Sequence, residues 1–239
     1  GAMSNLGYIH AKGLKGTVDN NTAALWYARA SAAGVAGAML ALGQLYETGS
    51  GVPQDTAKAL SLYQQAATQN QTENHQHLAT QRLVGMTLSG ALQDLLAPHQ
   101  MVPWMARAAA GDDAAASSWL QARASENIRP AQTALALLYL QQDGDPAAAV
   151  ALLTQAADSG DPQAQFHLGQ LYTTGTGVTL DYVQAHSWLN IAAASGATGA
   201  ASQRDVLTQL MSADQVAEAQ TRARAFFAAA SARPTQVTP

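Results

Sequence analysis

The chain has 239 residues, of which 53 are alanine, only 3 are phenylalanine and 12% are charged. So few large side chains cannot fill a wide core, whereas alanine lets thin helices pack closely against one another. The net charge of −4, with lysines and arginines scattered along the chain, excludes a basic stripe for nucleic acid. The lack of cysteine excludes disulfides, thiolate metal sites and cysteine nucleophiles. The alanine content therefore predicts an all-α protein. No apolar run reaches the roughly 18 residues that span a bilayer, so we expect no transmembrane segment.

The first three residues, 1–3, resemble the remnant that is left when a purification tag is cleaved. We therefore set them apart from the fold and expect the natural start to be missing. A signal peptide could have preceded it. The absence of cysteine does not decide the compartment, because cytosolic and exported chains can both lack it.

An internal repeat organises most of the chain. The pattern at residues 38–67 recurs at residues 164–193 without a gap, and a partial copy lies 36 residues before the first. The matched positions carry small, aromatic or acidic residues, among them Gly43 and Gly169, Tyr46 and Tyr172, Val52 and Val178, Asp55 and Asp181, and Ala59 and Ala185. We delimit a truncated repeat over 4–34 and full repeats over 35–70 and 161–196.

Each repeat is predicted to form two helices joined by a tight turn. Glycine in mid-helix costs about 1 kcal/mol relative to alanine, so Gly43 and Gly169 indicate a close approach of the partner helix. Gly49 and Gly51 are expected to take positive φ in the turn, because glycine does so at little steric cost. Asp55 is expected to cap the second helix through its carboxylate.

The middle of the chain is less regular. Residues 71–97 predict a helix over about 72–89 and then a short helix that ends at Pro98. We interpret this stretch as an insertion or a degenerate repeat. Residues 98–127 form a further degenerate repeat.

Residues 128–160 form a short repeat whose second helix is expected to begin at Pro146 after an Asp145 cap. Ser212 and Gln215 form a capping-box pattern for a last helix that runs to about residue 231. We therefore expect capping helices over 197–231, with a polar outer face that closes the array, and a frayed tail over 232–239.

The recurring Ala, Leu-Gly, Leu-Tyr, Gly-x-Gly-Val, Asp and Ala-Ala positions resemble the Sel1-like repeat family, which is related to the tetratricopeptide repeats. The resemblance implies a right-handed α-solenoid, or superhelix, whose first helices line a concave side. It also implies binding of other proteins, frequently in bacterial envelopes, signalling assemblies or the neutralisation of secreted effectors. A bacterial periplasmic location is expected from the same resemblance, with the cytoplasm as the alternative.

Residue types that support catalysis or metal binding do not converge in the sequence. His75 and His77 are two positions apart, which on a helix turns their side chains away from a shared face, and His167 and His186 lack a third ligand. The glycine-rich turns lack the Lys-Ser or Lys-Thr of a phosphate-binding loop. We therefore expect no metal, no cofactor and no catalytic residue.

Four aromatic residues are assigned to a single repeat position and are expected to fill the core: Trp26, Tyr63, Trp119 and Trp188. A ligand-binding role for them is disfavoured, because a large side chain that recurs with the repeat period more often serves packing than recognition.

The partner-binding surface is predicted on the first helices, at positions that packing does not require. These positions are Tyr8, Leu40, Gln44, Glu47, Thr133, Leu137, Leu140, Phe166, Gln170 and Thr173. The large apolar members would gain about 1.5–3 kcal/mol each from full burial. A partner segment or the helix at 72–89 could cover them, or neighbouring repeats could already bury them.

We expect a non-enzymatic interaction protein that clasps a protein partner through apolar and aromatic anchors with a polar rim. An immunity-type inhibitor of a secreted bacterial effector and an envelope signalling or assembly adaptor both fit this class. A hydrolase acting on envelope material is the remote alternative, since no nucleophile, base and orienting group come together in the sequence.

Overall fold

The computed structural model describes residues 1–69, 72–142 and 144–232. Within these residues the chain forms thirteen α-helices and no strand. The helices are α1 (Ala2–Lys12), α2 (Asn20–Ala32), α3 (Ala36–Thr48), α4 (Thr56–Thr68), α5 (Glu73–Leu88), α6 (Pro98–Ala110), α7 (Ala114–Ser125), α8 (Arg129–Gln141), α9 (Pro146–Asp158), α10 (Pro162–Thr174), α11 (Tyr182–Ala194), α12 (Ala200–Thr208) and α13 (Ala213–Ser231). They divide into two compact units, which we call unit 1 (Gly1–Trp119) and unit 2 (Leu120–Pro239).

Unit 1 is a row of helices in which neighbours along the chain pack side by side. Contacts join α1 to α2 and continue in chain order to α6, and α1–α3 and α3–α5 also touch. The first helices of successive hairpins therefore lie next to one another. Alanines with no exposed surface, such as Ala23, Ala38 and Ala59, allow this spacing.

Unit 2 repeats the arrangement from α8 to α11, again with neighbours in contact. At its C-terminal end α12 and α13 both pack on α11. The ring of Phe226 on α13 meets Trp188 on α11 in a T-shaped contact, with ring centroids 5.7 Å apart. The predicted all-α solenoid of helix-turn-helix repeats is thus confirmed within each unit.

Gly43 makes the close helix contact that its position in the repeat predicts. A β-carbon at Gly43 would lie 2.6 Å from Cε1 of Tyr63, whose side chain is completely buried between α3 and α4. Gly169 has the same relation to Leu189, at 2.8 Å from its Cγ. Any side chain at these positions would displace the partner helix, so glycine sets the distance between the two helices of a hairpin.

The turn glycines adopt the predicted conformation, with φ of 70° at Gly49 and 73° at Gly51. Gly51 also lies against the start of α2, since a β-carbon there would be 2.3 Å from the backbone carbon of Asn20. The turn of one repeat thereby contacts the second helix of the preceding repeat. Gly177 contacts Pro146 in the same way in unit 2.

The predicted helix caps form. Asp55 accepts a 2.9 Å hydrogen bond from the backbone amide of Lys58, and Asp181 accepts one of 3.0 Å from Gln184. Asp145 caps α9, which begins at Pro146 as expected. The capping box of α13 is complete, because Ser212 and Gln215 each accept from the other's backbone amide. The α13 helix ends at Ser231, as predicted.

One helix predicted from the sequence is absent from the described residues. The short helix expected before Pro98 does not form: residues 89–97 make turns, with Gly90 at φ 78°, and Pro98 instead begins α6. Proline favours an extended conformation in the residue before it, and Ala97 has ψ of 150°. The predicted tail, 232–239, lies outside the described residues apart from Ala232, the C-cap of α13.

The four aromatic residues do not share one repeat position. Tyr63 stands one residue later in its repeat than Trp26 and Trp188 do, and it alone is fully buried, while the tryptophans are half-buried. One residue corresponds to about 100° of rotation around a helix, so only the Tyr63 position points at the glycine of the first helix. Trp26 instead lies under the guanidinium of Arg29, 4.9 Å from the ring centroid.

Candidate protein-binding surface

The structure distributes the ten predicted surface residues over very different environments. Tyr8 and Gln44 are exposed, and Thr133 is buried. The half-buried members are Leu40, Glu47, Leu137, Leu140, Phe166, Gln170 and Thr173. Thr133 therefore cannot contact a partner directly, which corrects the prediction for that residue. Its hydroxyl donates to the backbone carbonyl of Arg129, so the side chain lies back against its own helix.

In unit 1, two of the predicted residues line a groove between α3 and α5. The groove has a volume of about 290 Å³, and Leu40 and Gln44 form its α3 side. His75, Leu78 and Arg82 form its α5 side. The groove exists because α5 continues the row of first helices.

Leu40 forms the base of this groove. It packs against the cluster of Ala36, Met39, Ala66 and Ala79, which joins α3, α4 and α5. The helix over 73–88 therefore covers part of Leu40, which was one of the three alternatives that the sequence left open. Gly37 allows α5 to approach, since a β-carbon there would be 3.0 Å from Nε2 of His75.

Glu47 on α3 contacts side chains of both α4 and α5. Its Oε2 accepts a 2.6 Å hydrogen bond from the Tyr63 hydroxyl of α4 and lies 3.9 Å from Nη1 of Arg82 on α5. Burial raises the pKa of Tyr63, and the hydrogen bond to Glu47 raises it further, because both oppose ionisation of the phenol. Glu47 thus serves the packing of unit 1, and Arg82 presents the exposed charge.

Tyr8 extends the same surface onto α1. It occupies the position of Gln44 one repeat earlier, and 53% of its surface is exposed. Leu78 on α5 is 41% exposed. We call the surface formed by Tyr8, Leu40, Gln44, Leu78 and Arg82 the first-helix face of unit 1.

Phe166 in unit 2 is the counterpart of Leu40 and is likewise half-buried. It packs against Ala192, Ala197 and Ala200 and against Leu207, so α11, α12 and the turn between them surround it. These elements are the second helix of the same repeat and the helix that follows it, so they belong neither to a neighbouring repeat nor to a partner. Phe166 is therefore not an exposed anchor.

The other predicted residues of unit 2 are partly engaged within the unit. Leu140 packs against the core cluster around Leu153 and Leu168. The Oε1 atom of Gln170 lies 2.9 Å from Nδ1 of His167. Thr173 donates to the backbone carbonyl of Gly169 and lies at the rim of an apolar groove of about 280 Å³.

The repeat pattern did not point to His75, Leu78 and Arg82, because α5 does not match it. The signal was the period itself. A spacing of 36 residues from the start of α3 at Ala36 predicts another first helix near residue 72, and α5 begins at Glu73. Its sequence lacks the Leu-Tyr pair and the Gly-x-Gly turn of the repeat, so the spacing was the clearest sign that it belongs to the row.

His186 is buried, with Nε2 3.2 Å from the Thr208 hydroxyl, and burial lowers its pKa. Over residues 1–69, 72–142 and 144–232, no three His, Cys, Asp or Glu side chains lie close enough to hold a metal ion. The helices in those same ranges are all too short or too polar to cross a bilayer.

Comparison with solved structures finds chains with related folds. A protective antigen of uropathogenic Escherichia coli with an SLR fold is 23% identical, with a TM-score of 0.47, and the match covers 100% of this chain and 49% of that one. A Sel1 repeat protein from Oxalobacter formigenes is 26% identical over 82% of this chain and 73% of that one, with a TM-score of 0.37. An immunity protein from Pseudomonas aeruginosa is 22% identical over 95% of this chain and 79% of that one, with a TM-score of 0.35. The present chain spans about half the length of the E. coli antigen.

No curated protein matches the chain. The family model described as Sel1 repeat matches residues 1–35, 36–71, 129–161 and 162–196, which together make up more than half of the sequence. Each match spans one hairpin: α1–α2, α3–α4, α8–α9 and α10–α11. Repeats of this kind typically form non-enzymatic protein-interaction scaffolds. The chain belongs to the Sel1 repeat family.

Proposed function

We propose that the chain is a non-enzymatic scaffold that binds a protein partner on the first-helix face of unit 1. The observation that carries the proposal is the row of α1, α3 and α5, which leaves Tyr8 exposed on α1 and Leu78 exposed in a groove that Leu40 also lines. Aromatic and aliphatic anchors beside a groove, with a polar rim, are typical of the energetic centre of a protein interface. Gln44 and Arg82 supply that rim.

The energetics favour a preformed surface of this kind. Full burial of a large apolar side chain contributes about 1.5–3 kcal/mol, so two such anchors supply a substantial part of a micromolar affinity. The helices that carry them already pack against one another, which keeps the entropy cost of binding low. The Glu47 carboxylate, engaged by Tyr63 and Arg82, helps to hold α5 in place.

Site-specific photo-crosslinking in the producing cell tests this surface. A photoreactive amino acid at position 78 is expected to capture a defined protein, which mass spectrometry identifies. The matched control is position 25 on α2, where Leu25 is 65% exposed on a second helix. Equal capture from both positions would contradict the proposed surface.

The purified partner then gives a quantitative test. The variants Tyr8→Asp and Leu78→Asp are expected to weaken binding by about tenfold or more each, while Leu25→Asp leaves it unchanged. Circular dichroism checks that all three variants keep their helices. Binding that tolerates both first-helix variants would contradict the proposal.

We propose two biological roles for such a scaffold, and both use the same surface. In the first, the chain is an immunity-type inhibitor that covers a secreted effector enzyme. In the second, it is an adaptor in envelope signalling or assembly, with the periplasm as the proposed location for either role. An enzymatic activity of the crosslinked partner that the purified chain blocks would favour the first role, and an envelope protein with no such activity would favour the second.

A further inference from the structure

A second cavity of unit 1 lies between α4, α5 and α6. Its volume is about 610 Å³, within the range of about 300–1,000 Å³ that is usual for ligand-binding cavities. Two of its three walls, α5 and α6, lie in residues 72–128, which none of the four Sel1 repeat matches covers. The repeat pattern therefore does not account for this cavity.

The inner surface of the cavity is apolar and rigid. Leu83 of α5 and Trp104 of α6 are buried and line it. The Trp104 indole donates a 2.8 Å hydrogen bond from Nε1 to the Thr87 hydroxyl, which itself donates to the backbone carbonyl of Leu83. The indole ring is thus held in one orientation and offers a flat contact for an apolar side chain.

The rim of the cavity carries amide side chains with free hydrogen-bonding groups. Gln76 donates from Nε2 to the backbone carbonyl of Gln69 at 2.8 Å, so its own carbonyl oxygen remains to accept from a ligand. Gln100 accepts at Oε1 from the Ala97 amide at 2.8 Å, so its amino group remains to donate. One donor and one acceptor on facing helices match the N–H and C=O of an extended peptide backbone.

The charge at the cavity is a single arginine. Arg107 of α6 is exposed, and its guanidinium makes only a long hydrogen bond of 3.4 Å to the backbone carbonyl of Ala67 on α4. It takes part in none of the ion pairs formed by the described residues. None of the described residues that line the cavity is acidic. Unpaired guanidinium groups recognise carboxylates through two parallel N–H donors.

The neighbouring cavity limits where a carboxylate can bind. It has a volume of about 300 Å³, shares Arg107 with the first, and is lined by Glu73, His77 and Asp113. Glu73 and Asp113 would repel an anion on that side. A ligand carboxylate is therefore favoured on the larger cavity's side of Arg107.

We propose that the α4–α5–α6 cavity binds an extended peptide segment that carries a carboxylate. The carboxylate contacts Arg107, the peptide backbone pairs with Gln76 and Gln100, and an apolar side chain packs near Trp104. The inference rests on the proposed protein-binding function and adds to it a second contact, which selects partners with an acidic residue two positions after a large apolar one.

Short peptides test this recognition by NMR. The probe is N-acetyl-Leu-Ala-Glu-amide, and the control is N-acetyl-Leu-Ala-Gln-amide, which differs only in lacking the negative charge. The chain has 4 tryptophans, so the indole N–H of Trp104 is one of a few resolvable signals and reports binding directly. The acidic peptide is expected to shift that signal with a dissociation constant about tenfold lower than that of the control. Equal binding of the two peptides, or no shift of the Trp104 signal at millimolar peptide, would overturn the proposal.

Two arginine variants assign the charge. Arg107→Gln is expected to abolish the preference for the acidic peptide, while Arg107→Lys keeps part of it because the positive charge remains. Arg29→Gln is the matched control, since Arg29 is also exposed on unit 1 but lies on α2, outside this cavity. A preference that survives Arg107→Gln, or disappears in Arg29→Gln, would contradict the assignment.

The same samples separate this proposal from the function on which it rests. Leu78→Asp changes the first-helix face and is expected to leave the peptide titration unchanged. The cavity site alone would be refuted if the unmodified chain fails to bind the acidic peptide while crosslinking at position 78 persists, also in Arg107→Gln. Peptide binding with no partner captured at position 78 would refute the first-helix face alone.

Discussion

The hydroxyl of Tyr63 donates a 2.6 Å hydrogen bond to Oε2 of Glu47, and the two residues belong to different helices of one hairpin. The phenol is fully buried, and the carboxylate also faces Arg82 from the next helix in the row. One hydrogen bond thus connects the interior of a repeat to the surface on which we place partner binding. This connection makes the stability of unit 1 sensitive to both residues.

Replacing Glu47 by alanine is expected to cost more stability than replacing Tyr63 by phenylalanine. Glu47→Ala leaves a buried hydroxyl without its acceptor, which costs about 1–3 kcal/mol, whereas Tyr63→Phe removes the hydroxyl itself and costs about 1 kcal/mol. Urea unfolding followed by circular dichroism measures both. The reverse order would show that the hydroxyl finds another partner.

Gly43→Ala is expected to destabilise unit 1, because the new methyl group would lie 2.6 Å from the Tyr63 ring. Overpacking of this kind costs about 1–3 kcal/mol. The matched control is Gly85→Ala in α5, where a β-carbon meets nothing within 4 Å. That variant is expected to stabilise the protein by about 0.5–1 kcal/mol through helix propensity. Equal effects in thermal unfolding would argue against close contact at Gly43.

Phe166→Asp is expected to destabilise unit 2, since it places a charge among Ala192, Ala197 and Ala200. The loss is about 2–4 kcal/mol, a range that includes the lost apolar burial and the cost of a poorly solvated carboxylate. Leu78→Asp on the exposed first-helix face is the control and is expected to change stability by about 0.5 kcal/mol or less. A Phe166→Asp variant as stable as the control would mean that this residue faces solvent.

Unit 2 is expected to lose stability in mild acid because of His186. Burial, followed by the charge of Arg204, lowers the pKa of His186 in the folded state below its ordinary value of 6.5. The unfolded chain then binds a proton more readily, so this contribution is present above about pH 6.5 and is lost as the pH falls below that value. The slope has an upper limit of about 1.4 kcal/mol per pH unit.

Urea unfolding between pH 5 and pH 8 measures this dependence. The variant His186→Gln keeps a polar side chain near the Thr208 hydroxyl but does not titrate. Its stability is expected to vary less with pH than that of the parent over the same range. A pH dependence that is identical in the two proteins would contradict the role of His186.

Several features of the fold could be predicted from the chain because they depend on near neighbours in sequence. The caps at Asp55 and Asp181 join side chains to amides three residues away, and the positive φ of Gly49 and Gly51 belongs to one turn. Gly43 in mid-helix indicated a close neighbour. It did not indicate that the neighbour is Tyr63 rather than the residue before it, because one position rotates a side chain by about 100°.

The candidate surface was only partly predictable. Tyr8, Leu40 and Gln44 follow from the repeat register, whereas Leu78 and Arg82 lie on a helix that lacks the repeat's signature residues. Thr133 and Phe166 hold equivalent-looking surface positions in the sequence but are buried or covered in the structure. Exposure depends on which helix packs next, and a repeat register contains no information about that.

The sequence by itself determined the repeat family, the helical hairpins and their caps, because periodic packing positions and hydrogen bonds over three or four residues are local properties. Only the tertiary structure decided that α3 and α5 share a groove, that Phe166 is covered, and that Arg107 lies beside Ala67, 40 residues earlier in the chain. Such relationships arise from the packing of elements distant in sequence. Burial and unpaired charge can be assigned only after that packing is known.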